Sequence, residues 1–577
     1  MLTFVIHIGI DPVEVKVQFN ATPSANETRG DHPGRYHLPT APEVALLMPR
    51  HIQVGSRRQI VCDMRDSEDS RLTFIPDSHQ CYFPFMYSLL APYGTNGWHY
   101  EMTSRGSKRC KITLPMWVRY QVMTRPTRFN HIVHSRKLFQ QFLVDMWAIK
   151  ETLLLNWMKF NQKTIRADVY SGVQRSIAEG RVASSGATVL AKSFTGGERW
   201  YSNAFRDAMA IVRAKGKPSL FLTMTLDVNC PEVRALLKEG ESPYNRPDIL
   251  IRVFELKRNK FMKMILGERG RPGIFGRVKA HVAVVEFQKR GESFVSNKFV
   301  TLYIPMLKVQ IVTGAPHTHV LLWLEDFDMT PANIDRCICA EIPYDPRQDP
   351  SVTDPLTPEQ KAQADFYDLV VEKMIHGPCG PLYNRSHLGC CKGGKCKRNF
   401  PRPFRTSTII NDDRYPDYRR RTPAEGGNTC KIWYKNVEYV IDNGWVVPYN
   451  PRLLCTFRCH INVEYVHSIK TLKYLLGYHF KGEDLVSVAG IAEDDEISLY
   501  STRRYISACM AIWRYFEFDT IHMKPSVRQL GIHLEGQQLC RYEANEADAQ
   551  DSLQRHHNTE LMDYFNANQC PIRGDVA

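Results

Sequence analysis

The chain has 577 residues, too many for one hydrophobic core, so about three to four domains are expected. Lys and Arg number 75 against 61 Asp and Glu, a net charge of +14 that favours a polyanionic partner, nucleic acid first of all. No run approaches the roughly 18 apolar residues of a membrane span. The apolar start "MLTFVIHIGI" has no basic n-region, and 16 irregularly spaced Cys in so long a chain read as reduced thiols. The expectation is therefore an intracellular, nuclear protein without spans or disulfide framework.

In chain order, residues 1–115 are rich in turns, short extended pieces and aromatics, as in "CYFPFMYSLLAPYGTNGWHYEM", and predict a small mixed α/β domain. Over 116–204 the pattern turns helical, with apolar residues at intervals of three and four in "HSRKLFQQFLVDMWAIKETLLLNWMKF". A core domain is expected over 205–490. It starts with a helix, "FRDAMAIVRAKGKP", stopped by Gly and Pro, followed by a strand over 219–228 and a helix over 246–266 entered through Pro. Strands at 279–291 and 317–325 come next, then a helix at 357–376 whose first turn suits Thr357 and Glu359. Strands and helices in this order predict an α+β fold, an antiparallel or mixed sheet with helices packed on one face. Residues 491–577 read as a C-terminal linker region.

The stretch "GAPHTHVLLWLE" places two histidines two residues apart at the mouth of an apolar strand. Side chains alternate along a strand, so His317 and His319 share a face, while Thr318 points into packing. Two imidazoles on one face suit a divalent metal, although paired core histidines give the same pattern. "VVEFQKRG" offers an oxygen ligand from Glu286 or Gln288, again on one face. Two imidazoles with one or two oxygens and open positions fit Mg²⁺ or Mn²⁺ better than a closed zinc cage. In "IKTLKYLLGYHFKG", Tyr474 and Tyr478 lie one helical turn apart, flanked by Lys473 and Lys481; they read either as nucleophiles beside phosphate-binding cations or as a packed aromatic stripe.

His376, Cys379, Cys390 and Cys396 in "MIHGPCGPLYNRSHLGCCKGGKCKRNF" make four soft ligands for a structural zinc, with Cys391 extra, against the alternative of a loop of reduced cysteines. From Lys392 to Arg421, cations including Arg398, Arg419, Arg420 and Arg421 interleave with Phe400, Phe404, Tyr415 and Tyr418, a pattern that predicts a single-strand groove. Residues 374–425 are therefore expected as a Cys-rich basic insertion in the core domain.

"PHTHV" followed by "KYLLGYHFKG", together with blocks such as "SFTGGERW", "DAMAIVRAKGKPSLFLTMTLD", "GKCKRNFPRPF" and "NGWVVPYNPRLL", resembles the replication-initiator (Rep) region of Helitron rolling-circle transposases, members of the HUH endonuclease superfamily. The resemblance implies an HUH-type central antiparallel sheet flanked by helices, metal binding by His317 and His319, and paired nucleophiles at Tyr474 and Tyr478. It also implies nicking and joining of single-stranded transposon-end DNA through a 5′-phosphotyrosine link. Two departures stand out. Twenty-three residues, 291–313, separate "EFQKR" from "GAPHTHV" and read as an in-frame retained intron or a real hairpin extension. No GxxxxGK[ST] loop is present where the family continues into a helicase, so no nucleotide cofactor is expected and the chain reads as an initiator fragment. The alternative reading is a degenerate or domesticated copy that binds DNA without cutting it.

Overall fold

The structure is a computed structural model. It describes residues 3–4, 15–16, 59–63, 72–104, 110–165, 168–169, 189–287, 316–325, 327, 330–352, 355–380, 383, 390–410, 416–434, 437–466, 476, 496–497, 500, 506–528, 531–534, 537–540, 546–555 and 558–568. Among these, the principal helices are α1 (Leu114–Gln121), α2 (Lys137–Phe160), α3 (Glu198–Lys215), α4 (Pro247–Leu266), α5 (Pro358–Lys373), α6 (Pro451–Phe457) and α7 (Ala508–Tyr515). Five strands, β1 (Leu220–Thr225), β2 (Val278–Phe287), β3 (Pro316–Leu324), β4 (Ile461–Tyr465) and β5 (Ile521–Lys524), form one antiparallel sheet in the order β4-β1-β3-β2-β5.

The local chemistry explains the elements. Gly216, at φ +76°, ends α3, and its carbonyl accepts from the Trp323 indole at 2.7 Å. Pro247 opens α4, and Thr357 caps α5 in a reciprocal capping box with Gln360. β3 is buried along its whole length because it lies at the centre of the sheet with helices over both faces. His317, His319, Leu321 and Trp323 face one way; Leu321 and Trp323 pack against Ala208 and Ile211 of α3. Thr318, Val320, Leu322 and Leu324 face the other way; the last three join a large core with Phe142 of α2, Phe254 of α4 and Trp513 of α7. Helices therefore cover both sides of the sheet, where one covered side was expected.

β4 and β5 are absent from the strands read off the sequence. "INVEY" alternates buried and half-buried residues over five positions, and "IHMK" is an edge strand of four, too short for periodicity to show. β5 and α7 also bring the region read as a linker into the sheet and the main core. The core is shared with Tyr82, Phe83 and Tyr87 from the region read as a separate small domain. β2 and β3 pair directly, so the 23-residue segment 291–313, which lies outside the described residues, does not part these strands. The helix expected over 469–482 also lies outside them, except for Leu476.

A histidine pair closes the β2–β5 edge. Buried His281 on β2 meets His522 on β5, Nε2 to Nδ1 at 2.8 Å, with the rings stacked 4.9 Å apart. Burial, with the neighbouring His522 and Lys524 charges, pulls His281 down to about 4. The unfolded chain binds this proton at about pH 6.5, so the neutral ring stabilises the fold fully above that pH. That contribution drains away as pH falls toward 4, a loss on the order of 3 kcal/mol. Urea unfolding from neutral pH down to about pH 4 is expected to show this acid-side decline, and His281→Phe to flatten it.

Candidate metal centres and basic stretch

The register of the sheet builds the first site. His317 stands opposite Glu286 on β2 and Thr225 on β1; His319 stands opposite Val284 and Thr223. The Nε2 atoms of His317 and His319 lie 3.3 and 3.8 Å from the same oxygen, Glu286 Oε2. The imidazoles meet edge to face with centroids 4.7 Å apart, and both are buried. His319 Nδ1 lies 2.9 Å from the Thr223 hydroxyl, and its ring stacks on Phe221. A proton on Nδ1 satisfies Thr223 and leaves the Nε2 lone pair aimed at the shared point, the arrangement that orients metal-binding histidines. Thr318 turns to the opposite face and donates to the Val284 carbonyl at 3.1 Å.

The donor set can hold a divalent cation. Ligands about 2.1 Å from a shared ion stand roughly 3 to 3.5 Å apart, and the separations here, 3.3 and 3.8 Å, are of that order. Glu286 Oε1 and His317 Nδ1 are buried polar atoms with no hydrogen-bond partner, which marks a pocket whose polar demand the protein alone leaves open. Glu286 is thus the third member of the trio, and Gln288 lies outside the described residues. So do Lys473, Tyr474, Tyr478 and Lys481. Thr223 was not read from the sequence. Its signal was there only in combination: "LFLTMT" had to be aligned against the histidine strand before the hydroxyl fell opposite His319.

The second cluster gathers His376, Cys379, Cys390 and Cys396, whose ligand atoms all lie within 4.8 Å of one another. His376 Nε2 is 3.8 Å from Cys379 Sγ and 3.4 Å from Cys396 Sγ. Four sulfur or nitrogen ligands at about 2.3 Å from zinc define a tetrahedron with edges near 3.8 Å, so these residues fit that ion. Cys391 is not in the group; its sulfur lies 3.9 Å from that of Cys390. A short hairpin, Cys391–Lys392 with Lys395–Cys396, presents the last thiol, and the Arg398 amide donates to it at 3.4 Å. Gly377, at φ +102°, makes the turn between His376 and Cys379; a Cβ there would meet the Trp445 ring at 2.9 Å. Phe400 stacks on His376 at 4.3 Å. Burial and the neighbouring thiols push Cys379 well above the usual thiol range. The cluster is anchored in a third core with Val370, Trp445 and Tyr449.

The two centres are braced together. Lys373, at the end of α5, donates to Asp227 just past β1 at 2.8 Å, and the His460 carbonyl accepts from Thr225, the residue opposite His317.

The basic stretch departs from its expectation. Arg420 is 2 % exposed, and its guanidinium donates to the carbonyls of Ala340, Asn443 and Val446, so it cannot face DNA. Burial pulls it down to about 10, still charged at neutral pH. Arg421 grips Glu341 through both carboxylate oxygens, and Arg419 lies 3.4 Å from the same group. Tyr418 is buried with its hydroxyl accepting from the Tyr465 amide. Arg398 is exposed, and the Arg419 and Arg421 side chains keep part of their surface open beside Glu341. A count of charges and rings does not distinguish a groove from a strut. Arg420→Met is expected to strand three buried carbonyls and cost about 3–5 kcal/mol of stability, measured as a shifted urea midpoint.

No helix among the described residues is long and apolar enough to cross a membrane. Residues 117–294 match the family model described as the Helitron helicase-like domain at the N-terminus. That span includes β1, β2 and Glu286 and ends within segment 291–313; His317, His319 and the Cys/His cluster follow it in sequence. No curated protein matches the chain.

Proposed function

From a chain that carries a Helitron helicase-like domain and is to that extent transposon-related, we propose an HUH-type enzyme that nicks and joins single-stranded DNA. The observation that carries the reading is the convergence of both Nε2 atoms on one Glu286 oxygen at a buried sheet face. Glu286, His317 and His319, with Gln288 as a further oxygen donor, would hold Mg²⁺ or Mn²⁺. Such a cation supplies charge neutralisation at the non-bridging phosphate oxygens.

Tyr474 and Tyr478 are the proposed nucleophiles. Leu476, between them, is helical, fully buried and part of the cluster that contains Leu321 and Trp323, which continue the histidine row along β3. A phenolic oxygen attacks phosphorus and gives up its proton; the bond from phosphorus to the 3′ oxygen breaks, and that oxygen leaves as a 3′ hydroxyl after taking up a proton. The 5′-phosphotyrosine link keeps the bond energy for rejoining, which is the reverse displacement. Lys473, Lys481 and Arg398 are proposed phosphate contacts, the Cys/His cluster a structural zinc site, and the nucleus the place of action.

The test is incubation of the chain with a labelled single-stranded oligonucleotide and Mn²⁺, followed by a denaturing gel. A covalent adduct that disappears in the Tyr474→Phe, Tyr478→Phe double variant is the expected result. A chain that retards the oligonucleotide but never forms the adduct is the non-cleaving DNA-binding alternative.

A further inference from the structure

We infer that the surface around α1 and the loops that flank it is a platform on which single-stranded DNA stacks. The inference rests on the proposed DNA-processing role for its ligand, and on the following observations for its place. Between residues 78 and 144 the sequence has nine Lys or Arg and one acidic residue, Glu101. So one-sided a stretch of sequence favours a polyanion.

The cations are accompanied by rings in solvent. Tyr93 is 95 % exposed, Tyr120 56 % and Phe129 61 %, although large aromatics are costly to leave wet without a partner. Helix α1 buries Leu114, Trp117 and Val118 and turns Tyr120 outward. The Arg125 guanidinium lies 4.0 Å over the Tyr120 ring; Phe129 lies under the Lys238 ammonium at 4.2 Å and stacks on His134 at 5.0 Å, so Tyr93 and Tyr120 are the rings left to receive bases. These pieces form one neighbourhood. Phe83 meets Trp117 of α1 edge-on at 5.2 Å, and the His131 ring is 2.6 Å from the Leu90 carbonyl, which seats the turn leading to Tyr93 against the loop after α1. Among the described residues, Lys111, Arg125 and Arg128 have no carboxylate partner. Arg419 and Arg421, by contrast, lie against Glu341.

Unpaired cations interleaved with solvent-facing rings are what a single strand needs, backbone on charge and bases on π-faces. Duplex DNA hides its base faces and gains nothing from Tyr93 or Tyr120.

The experiment measures fluorescence anisotropy of a labelled oligothymidylate with the full chain, titrated with salt. The variant combines Tyr120→Ala, Arg125→Ala and Arg128→Ala, and circular dichroism confirms its fold. The expected result is a Kd weakened about 10- to 100-fold, from the loss of one stacked base and two cations, and a salt slope reduced by about 1.4, roughly 0.7 for each lost cation. Tyr120→Phe, which keeps the ring face, is expected to bind like the wild type. Unchanged affinity and slope in the triple variant overturn the inference. Unchanged binding with the loss of an oligomer in light scattering would overturn it in favour of a protein interface. The nuclease proposal fails separately, because adduct formation is read on the wild-type chain: a wild type without adduct beside a triple variant with weakened affinity sinks the chemistry and keeps the platform.

Discussion

His317→Ala is expected to reduce formation of the metal-dependent DNA adduct by about 10³-fold, the scale set by removing a preorganised electrostatic contact from a buried phosphoryl-transfer site. The residue is fully committed to the trio: its Nε2 is the nearer of the two to Glu286, and nothing on the opposite face of β3 can substitute for it. Isothermal titration with Mn²⁺ gives an independent readout, in which binding to the variant should be lost while the fold remains. Thr223→Val provides a graded comparison. It keeps the shape and removes the hydroxyl that orients His319, so Mn²⁺ affinity should fall 10- to 100-fold, with much of the adduct yield restored at high Mn²⁺. If His317→Ala forms adduct at the wild-type rate, the trio is not the catalytic centre.

The second large effect is structural. Cys396→Ser removes a buried ligand on which the His376 ring and the Arg398 amide converge. Metal-coupled folding at such sites is worth on the order of 10 kcal/mol near neutral pH, comparable to the whole stability of a domain. Elemental analysis of the purified wild type should find one zinc per chain, and the variant less than that with a marked loss of the cooperative melt. Cys391→Ser is the control, since that thiol is outside the group of four; it should keep the metal and the melt. Equal losses in the two variants would point to packing rather than coordination.

How much of this was legible in the sequence depends on how local the cause is. β1 and β3 are apolar runs whose character survives without knowing their neighbours, and the alternation rule alone put the two imidazoles on one side. The four clustered side chains, His376, Cys379, Cys390 and Cys396, were legible as a group because Cys and His advertise their chemistry wherever the chain carries them. Glu286 could be set opposite His317 only once the strand register was known. Thr223 was invisible for the same reason. Arg420 was misread because burial is a property of the surroundings, and nothing in "YPDYRRR" announces three carbonyls waiting from distant segments. The edge strand β5 is recruited by pairing with β2 and not by its own pattern.

The Lys373–Asp227 ion pair and the Thr225–His460 hydrogen bond span the short gap between the thiol-bearing appendage and the strand end opposite His317. Damage to sulfur chemistry would therefore travel. If the two clusters hold the proposed metals, an oxidant that empties the appendage would slacken a clasp at the lip of the imidazole pocket and weaken its hold on a cation while Glu286, His317 and His319 stayed intact.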